Sequence, residues 1–195
     1  MQNNNGLSFR AYQILAGRTL PDLGEKLNLT HMVLGMNSEL SELEDAFEKN
    51  DFINVIEEIC DYQWYLANYC SLVKFNFGFF DNVPWKVGDD GALSMIKGVD
   101  TTLKCIQKLY YLTSKLQDLV KKNIAYGKPI LREVEIEYIS LIQEEFQKIC
   151  ILENLDINKG LENNINKLKI RYPDKFTQEA AINRNLEAER IELEK

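Results

Sequence analysis

Two pairs of acidic residues lie at mirror-image positions about one turn, and this feature constrains the fold more than any other. Glu39 and Glu42 precede the turn near Asn50, and Glu58 and Asp61 follow it. Three residues is close to one helical turn, so each pair is expected on one face of its helix. Glu42 and Glu58 are both 8 residues from Asn50, and Glu39 and Asp61 are both 11. Antiparallel helices would bring the four acids into two level rows, about 12 and 16 Å from the turn.

Four carboxylates that face one another repel, so the pattern predicts a positive partner between them. The second helix of the pair is apolar on nearly all sides, because Trp64, Tyr65 and Leu72 lie outside its main apolar stripe. Such a helix is expected at the centre of the fold, where an unpaired carboxylate costs several kcal/mol. Glu57, Glu58 and Asp61 are the conspicuous charges on this helix, and they therefore indicate a bound metal or another cationic group.

Apolar residues recur at helical spacing along the chain, which predicts an all-α fold. After a polar tail at 1–5, the predicted helices cover about 7–17, 28–49, 52–77, 92–122, 132–153, 161–170 and 177–195, the last of them charged and exposed. The predicted connections are a turn near 50, an aromatic segment at 75–91 and a loop at 123–129.

The hairpin predicted over 92–153 resembles the hairpin predicted over 28–77. The segment SELED at 41–45 aligns with SKLQD at 114–118, and a Lys-Asn pair follows each segment. Neither acidic pair of the first hairpin has an acidic counterpart in the second. Two hairpins make a four-helix bundle, so we expect one domain with a single acidic site, extended by N- and C-terminal helices that include 160–195.

Charge and hydropathy exclude several classes of protein. The formal net charge of the 195-residue chain is −7, which is typical of a poor non-specific nucleic-acid binder. The N-terminus has no apolar signal core, and no apolar run approaches the roughly 18 residues that a membrane helix needs. We therefore expect a cytoplasmic protein with no nucleic-acid or membrane partner.

Cysteine and histidine usage exclude two kinds of metal centre. None of the four cysteines forms a C-x-x-C pair, and all lie at apolar positions, so we expect buried, reduced thiols. His31 is the only histidine, which argues against a zinc site. A di-iron bundle would need E-x-x-H pairs, which one histidine cannot supply.

The segments around the acids resemble the MazG-like all-α nucleoside triphosphate pyrophosphohydrolases. The signature of that family is E-x-x-E followed, after a short turn, by E-x-x-D on the next helix. These pairs occur here within LGMNSELSEL at 34–43 and EEICDYQWYLA at 57–67. The run NINKLKIRYPDKF at 164–176 is similar to the tail of phage and bacterial MazG-like proteins. The resemblance covers about 8–77 and 160–185.

The resemblance implies hydrolysis of a nucleoside triphosphate, usually a deoxynucleotide, to the monophosphate and pyrophosphate, with Mg²⁺ as the cofactor. The implied metal ligands and catalytic residues are Glu39, Glu42, Glu58 and Asp61. For one of the glutamates, the alternative role is to position or deprotonate the attacking water. The implied phosphate contacts in the tail are Asn164, Lys167, Arg171 and Tyr172.

Several alternatives stay open at this point. The base and the sugar are undetermined, so dUTP, dCTP and altered nucleotides are all candidate substrates, and a homodimer is one candidate assembly. Lys167 and Arg171 could be solvated charges, and Trp64 and Tyr65 could belong to the core rather than stack on a base. The alternative from a different class is a non-catalytic helical bundle that binds a nucleotide or a protein partner.

Overall fold

The computed structural model describes residues 6–85 and 101–194, and all regular secondary structure in these two ranges is helical. The prediction of an all-α fold is therefore confirmed for this part of the chain. In chain order the α-helices are α1 Phe9–Gly17, α2 Glu25–Glu48, α3 Phe52–Leu72, α4 Thr102–Tyr126, α5 Arg132–Leu152, α6 Ile157–Arg171, α7 Gln178–Ile182 and α8 Leu186–Leu193, with a 3-10 helix at Phe77–Asn82 between α3 and α4.

Helices α2 and α3 pack against each other as an antiparallel hairpin. The chain reverses at Asn50, which has a left-handed φ of 55°, a conformation that asparagine tolerates better than most residues. Asp51 then begins α3, because its side chain accepts a hydrogen bond from the Asn54 backbone N–H at 3.2 Å. The turn predicted near Asn50 is confirmed. On α2, Val33, Met36, Leu40 and Leu43 recur at helical spacing and are buried.

The remaining long helices pack beside this hairpin: α4 packs on both α2 and α5. Side chains of α3 reach both α4 and α5 through hydrogen bonds inside the core. The Tyr62 hydroxyl lies 2.7 Å from Thr113 Oγ1, and the Gln63 and Gln143 amides bond to each other at 3.0 and 2.6 Å. Paired in this way, these buried polar groups avoid the cost of an unsatisfied donor or acceptor.

Helix α6 approaches α3 closely at Gly160. A Cβ atom at Gly160 would lie 2.8 Å from both Cys60 Sγ and Ile56 Cγ1, so only glycine fits without movement. One and two turns further along α6, Asn164 and Lys167 consequently lie against the acidic part of α3. Helix α1 packs on α3 and α6 and supports this junction from the other side.

Several helix ends differ from the predictions. Helix α2 begins at Glu25 rather than near 28, because Gly24 adopts a φ of 80° that starts the helix earlier. Helix α3 ends at Leu72, before the predicted end at 77, and a 3-10 helix follows. Helix α4 continues through the start of the predicted 123–129 loop to Tyr126, where Gly127 with a φ of 64° ends it.

The C-terminal part differs most from its prediction. Helix α6 begins at Ile157, four residues early, because Asp156 caps it. The single exposed helix predicted over 177–195 is wrong: α7 and α8 are two short helices, and Asn185 caps the second by accepting from the Ala188 N–H. Glu189 in α8 is buried. The predicted tail at 1–5, the predicted helix start at 92 and residue 195 lie outside the described residues.

The four cysteines are buried, as predicted. Among the described residues, no helix combines the length and the hydropathy needed to cross a membrane.

Candidate metal and phosphate site

Three of the four predicted acids come together between α2 and α3. Glu39 of α2 and Glu58 and Asp61 of α3 each place a carboxylate oxygen within 4.8 Å of the others. All three side chains are half-buried. Glu42 is outside this three-acid cluster but lines the cavity beside it, together with Glu39 and Asp61. The antiparallel register that the sequence indicates therefore does bring acids of both helices to one place.

The cavity beside the cluster has a volume of about 300 Å³. It is lined by residues of α2 and α3, of the connection between α1 and α2, and of the C-terminal part of the chain. Its lining combines acids, two arginines and several aromatic rings: Thr19, Pro21, His31, Glu39, Glu42, Asp61, Trp64, Tyr65, Leu168, Arg171, Tyr172, Phe176 and Arg184. A cavity of this size that combines charged groups with several aromatic rings is a candidate site for a charged small molecule.

Burial and mutual repulsion raise the pKa of two acids in the cluster. Burial is the main cause at Glu39, and the charges of Asp61 and Glu42 add to it, so the Glu39 pKa is raised to about 7. Burial and the charges of Asp61 and Glu57 raise the pKa of Glu58 to about 9. Both shifts reflect carboxyl groups that are buried close together, and a divalent cation between them would favour their ionised form.

Lys167 of α6 forms ion pairs with Glu57 and Asp61 of α3. Its side chain is only 1% exposed, and its ammonium is 2.6 Å from Asp61 Oδ2 and 3.1 Å from Glu57 Oε1. Burial acts to lower the Lys167 pKa, but the Asp61 and Glu57 carboxylates outweigh it and raise that pKa. Lys167 is therefore charged and serves here as a partner of Asp61.

Asn164, which lies in α6 one turn before Lys167, also bonds to Asp61 of α3. Its amide Nδ2 donates to Asp61 Oδ1, and its Oδ1 lies 2.8 Å from the Tyr12 hydroxyl. The Tyr12 hydroxyl also lies 2.9 Å from the Cys60 backbone carbonyl oxygen. Tyr12 and Asn164 are fully buried, so this chain of hydrogen bonds fixes the orientation of Asp61 between α1, α3 and α6.

Aromatic side chains occupy the part of the cavity that lies further from the hairpin turn. Tyr65, one turn after Asp61, covers Gly35, where a Cβ atom would lie 2.1 Å from Tyr65 Cε1. The Tyr65 ring also meets His31 edge-on, with 5.6 Å between ring centroids. Trp64 packs against Tyr65 at 4.9 Å and donates from Nε1 to Thr19 Oγ1 at 2.9 Å. The hairpin therefore offers acids near its turn and rings further away.

Two of the four tail residues predicted to contact phosphate, Arg171 and Tyr172, line the cavity, whereas Asn164 and Lys167 are buried against Asp61. Arg171 is the last residue of α6, and Tyr172 follows it. Arg18 fixes the backbone beyond them, because its Nη1 donates to the carbonyl oxygens of Tyr172, Pro173 and Asp174 at 2.9, 3.2 and 2.6 Å. Arg18 thus stabilises the backbone segment that carries Tyr172, one of the residues that line the cavity.

Sequence reasoning missed Arg184 and Glu189. Arg184 lines the cavity, and Glu189 bonds to both Arg184 and Arg171. One signal in the sequence could have indicated them: the asparagines at 183 and 185 interrupt the predicted helix, since asparagine is frequent at helix ends. An interrupted helix can fold back on the body of the protein.

Comparisons with known proteins add no identification. No protein-family model matches the chain, and neither the curated proteins nor the solved structures include a significant match.

Proposed function

We propose that this chain hydrolyses a nucleoside triphosphate to the monophosphate and pyrophosphate with a divalent metal, Mg²⁺, as cofactor. One observation carries the proposal: carboxylates of Glu39, Glu58 and Asp61 converge within 4.8 Å at a cavity that also presents arginines and aromatic rings. These groups match the parts of a metal-bound nucleoside triphosphate: carboxylates can hold the metal, arginines can bind phosphate oxygens, and aromatic rings can stack on the base. The MazG-like resemblance of the sequence supports the same activity and the same arrangement of two hairpins in a four-helix bundle.

The three-acid cluster fits a hard divalent ion. Mg²⁺ prefers oxygen ligands at about 2.0–2.1 Å and keeps several waters, so a few carboxylates plus phosphate oxygens complete its coordination. Burial and the charges of neighbouring carboxylates raise the pKa values of Glu39 and Glu58, and a cation bound between them would offset that repulsion. When bound, such an ion supplies charge neutralisation for the phosphates and for the leaving pyrophosphate.

The residues around the cluster take separate parts in this reaction. Arg171 lies at the cavity and offers a planar group suited to phosphate oxygens. Glu42 lines the cavity outside the three-acid cluster, so we assign it the orientation of the attacking water. Tyr65 and Trp64 lie beyond the acids along α3 and provide rings on which a base can stack.

A panel of ribo- and deoxynucleoside triphosphates, assayed for pyrophosphate release with and without Mg²⁺, tests the proposal. We expect hydrolysis of at least one nucleotide, and EDTA should abolish it. Glu58→Gln should lower turnover about 100-fold or more, because it removes a proposed metal ligand while keeping the shape of the side chain. Glu48→Gln, an exposed position on α2, is the control and should leave turnover unchanged. Turnover that persists in EDTA would contradict the proposal.

Lys167 favours a second candidate, a bundle that binds nucleotides without hydrolysing them. Its buried ammonium already neutralises Asp61 at 2.6 Å, so the fold does not need a metal at this carboxylate. Nucleotide binding of equal affinity in Mg²⁺ and in EDTA, with no pyrophosphate released from any nucleotide of the panel, would establish this alternative.

A further inference from the structure

One carboxylate joins two arginines that are distant in sequence. Glu189 of α8 bonds Arg171 at 3.1 Å (Nε to Oε1) and 2.5 Å (Nη2 to Oε2). The same carboxylate bonds Arg184 at 3.3 Å (Nε to Oε2) and 2.7 Å (Nη2 to Oε2). Arg171 ends α6 and Arg184 lies between α7 and α8, so Glu189 connects the end of the long helix to the folded-back C-terminal segment.

The group of Arg171, Arg184 and Glu189 carries a net positive charge. The Glu189 side chain is only 3% exposed. Burial acts to raise its pKa, but hydrogen bonds from Arg171 and Arg184 outweigh burial and lower that pKa to about 2. Glu189 is thus ionised at neutral pH, and two guanidinium charges against one carboxylate leave one positive charge at the cavity.

Both arginines line the cavity that is also lined by Glu39 and Asp61. The bonds to Glu189 use Nε and Nη2 of each arginine, so Nη1 of each is outside this contact. Resting on the function proposed above, we propose that Arg184 binds a phosphate group of the substrate and that Glu189 is the positioning residue for Arg184 and Arg171. Glu39, Glu58 and Asp61 would then hold the metal, and Arg171 and Arg184 would bind the phosphate oxygens.

Arg190, which lies next to Glu189 in α8, provides a comparison because its contacts attach one helix to another. It bonds Glu194 at 2.7 Å and Asn54 Oδ1 at 2.5 Å, and so attaches α8 to the start of α3. Arg190 is not among the residues that line the cavity. The side chains of Arg184 and Arg190 are equally exposed, at 39% and 38%, so what distinguishes Arg184 is its place in the lining of the acidic cavity.

The test compares Arg184→Gln, Arg184→Lys and the control Arg190→Gln. For each protein, nucleoside triphosphate hydrolysis gives kcat and KM, and calorimetry with inorganic tripolyphosphate and Mg²⁺ gives a dissociation constant that needs no turnover. Loss of a charge-assisted pair of hydrogen bonds should raise KM and the tripolyphosphate Kd about 10- to 100-fold in Arg184→Gln. Arg184→Lys should recover part of the loss, and Arg190→Gln should match the wild type in both constants. Far-ultraviolet circular dichroism and thermal unfolding check that each variant is folded.

The outcomes separate this inference from the proposed activity. Unchanged KM and unchanged tripolyphosphate Kd in a folded Arg184→Gln overturn the role of Arg184, even if the wild type is an active hydrolase. Tripolyphosphate binding that weakens in Arg184→Gln supports the role of Arg184, even if no nucleotide is hydrolysed and the proposed activity fails. A wild type that neither hydrolyses nucleotides nor binds tripolyphosphate overturns both.

Discussion

The buried ammonium of Lys167 and the half-buried carboxylate of Asp61 form an ion pair, with 2.6 Å between Nζ and Oδ2. The pair joins α6 to α3 within the three-acid cluster. Any divalent ion at Asp61 would share this carboxylate with a charge that belongs to the protein itself. The stability of the metal-free protein and its affinity for metal should therefore both depend on Lys167.

Lys167→Met should destabilise the metal-free protein. It keeps most of the side-chain volume but leaves Asp61 and Glu57 without their nearest cation, which should cost about 2–4 kcal/mol. Mg²⁺ should restore part of this stability, because it brings a positive charge back to Asp61. Urea unfolding with EDTA and with Mg²⁺ measures both effects. Lys169→Met on the exposed face of α6 is the control, and equal unfolding curves for the two variants would contradict the assignment.

The pH dependence of stability should report the two acids with raised pKa values. The folded protein holds protons on Glu39 and Glu58 up to about pH 7 and 9, whereas the unfolded chain loses them near its ordinary value of about 4.3. Between pH 5 and 9 the folded state binds more protons, so the free energy of unfolding should fall as the pH rises.

The variant Glu39→Gln/Glu58→Gln isolates this effect from other titrating groups. In EDTA, the wild type should lose more stability than this variant between pH 5 and 9, by about 1 kcal/mol or more. Urea unfolding at pH 5, 7 and 9 gives the comparison. Parallel pH profiles for the two proteins would show that these carboxyl groups titrate normally.

Glu39 and Glu42 should respond differently to the same substitution. Glu39 belongs to the three-acid cluster and Glu42 lines the cavity outside it. Glu39→Gln should raise the Mg²⁺ concentration needed for half-maximal activity by about 10-fold or more, because it removes a ligand. Glu42→Gln should mainly lower kcat. Mg²⁺ titration of activity measures both, and identical Mg²⁺ dependence of the two variants would count against separate roles.

Gly35 should be intolerant of a side chain. The Cβ of Gly35→Ala would lie 2.1 Å from Tyr65 Cε1, so the ring must leave its place beside His31, at a cost of about 1–3 kcal/mol. Thermal unfolding measures the loss. Gly17→Ala, whose Cβ would meet Asn68 Oδ1 only at 3.9 Å, is the control. In a Tyr65→Ala background, Gly35→Ala should become neutral, and a persistent loss there would place the clash elsewhere.

The sequence predicted the helical hairpin and the convergence of its acids for a simple reason. Both depend on local periodicity and on the short turn at Asn50, so positions of α2 and α3 that are equally far from this turn meet. Helix ends were predicted less well, because single residues such as Gly24 and Asp156 decide them. Which acids converge most closely also depends on side-chain packing, and this left Glu42 outside the three-acid cluster.

The sequence by itself determined that this chain is helical and that acids of two neighbouring helices share one face, because helical spacing and turn length are local properties. Only the tertiary structure decided which cations meet those acids. Lys167 is 106 residues from Asp61, and Glu189 joins Arg171 to Arg184 through an interruption after α7. Such contacts follow from how whole helices pack, and no local pattern encodes that packing.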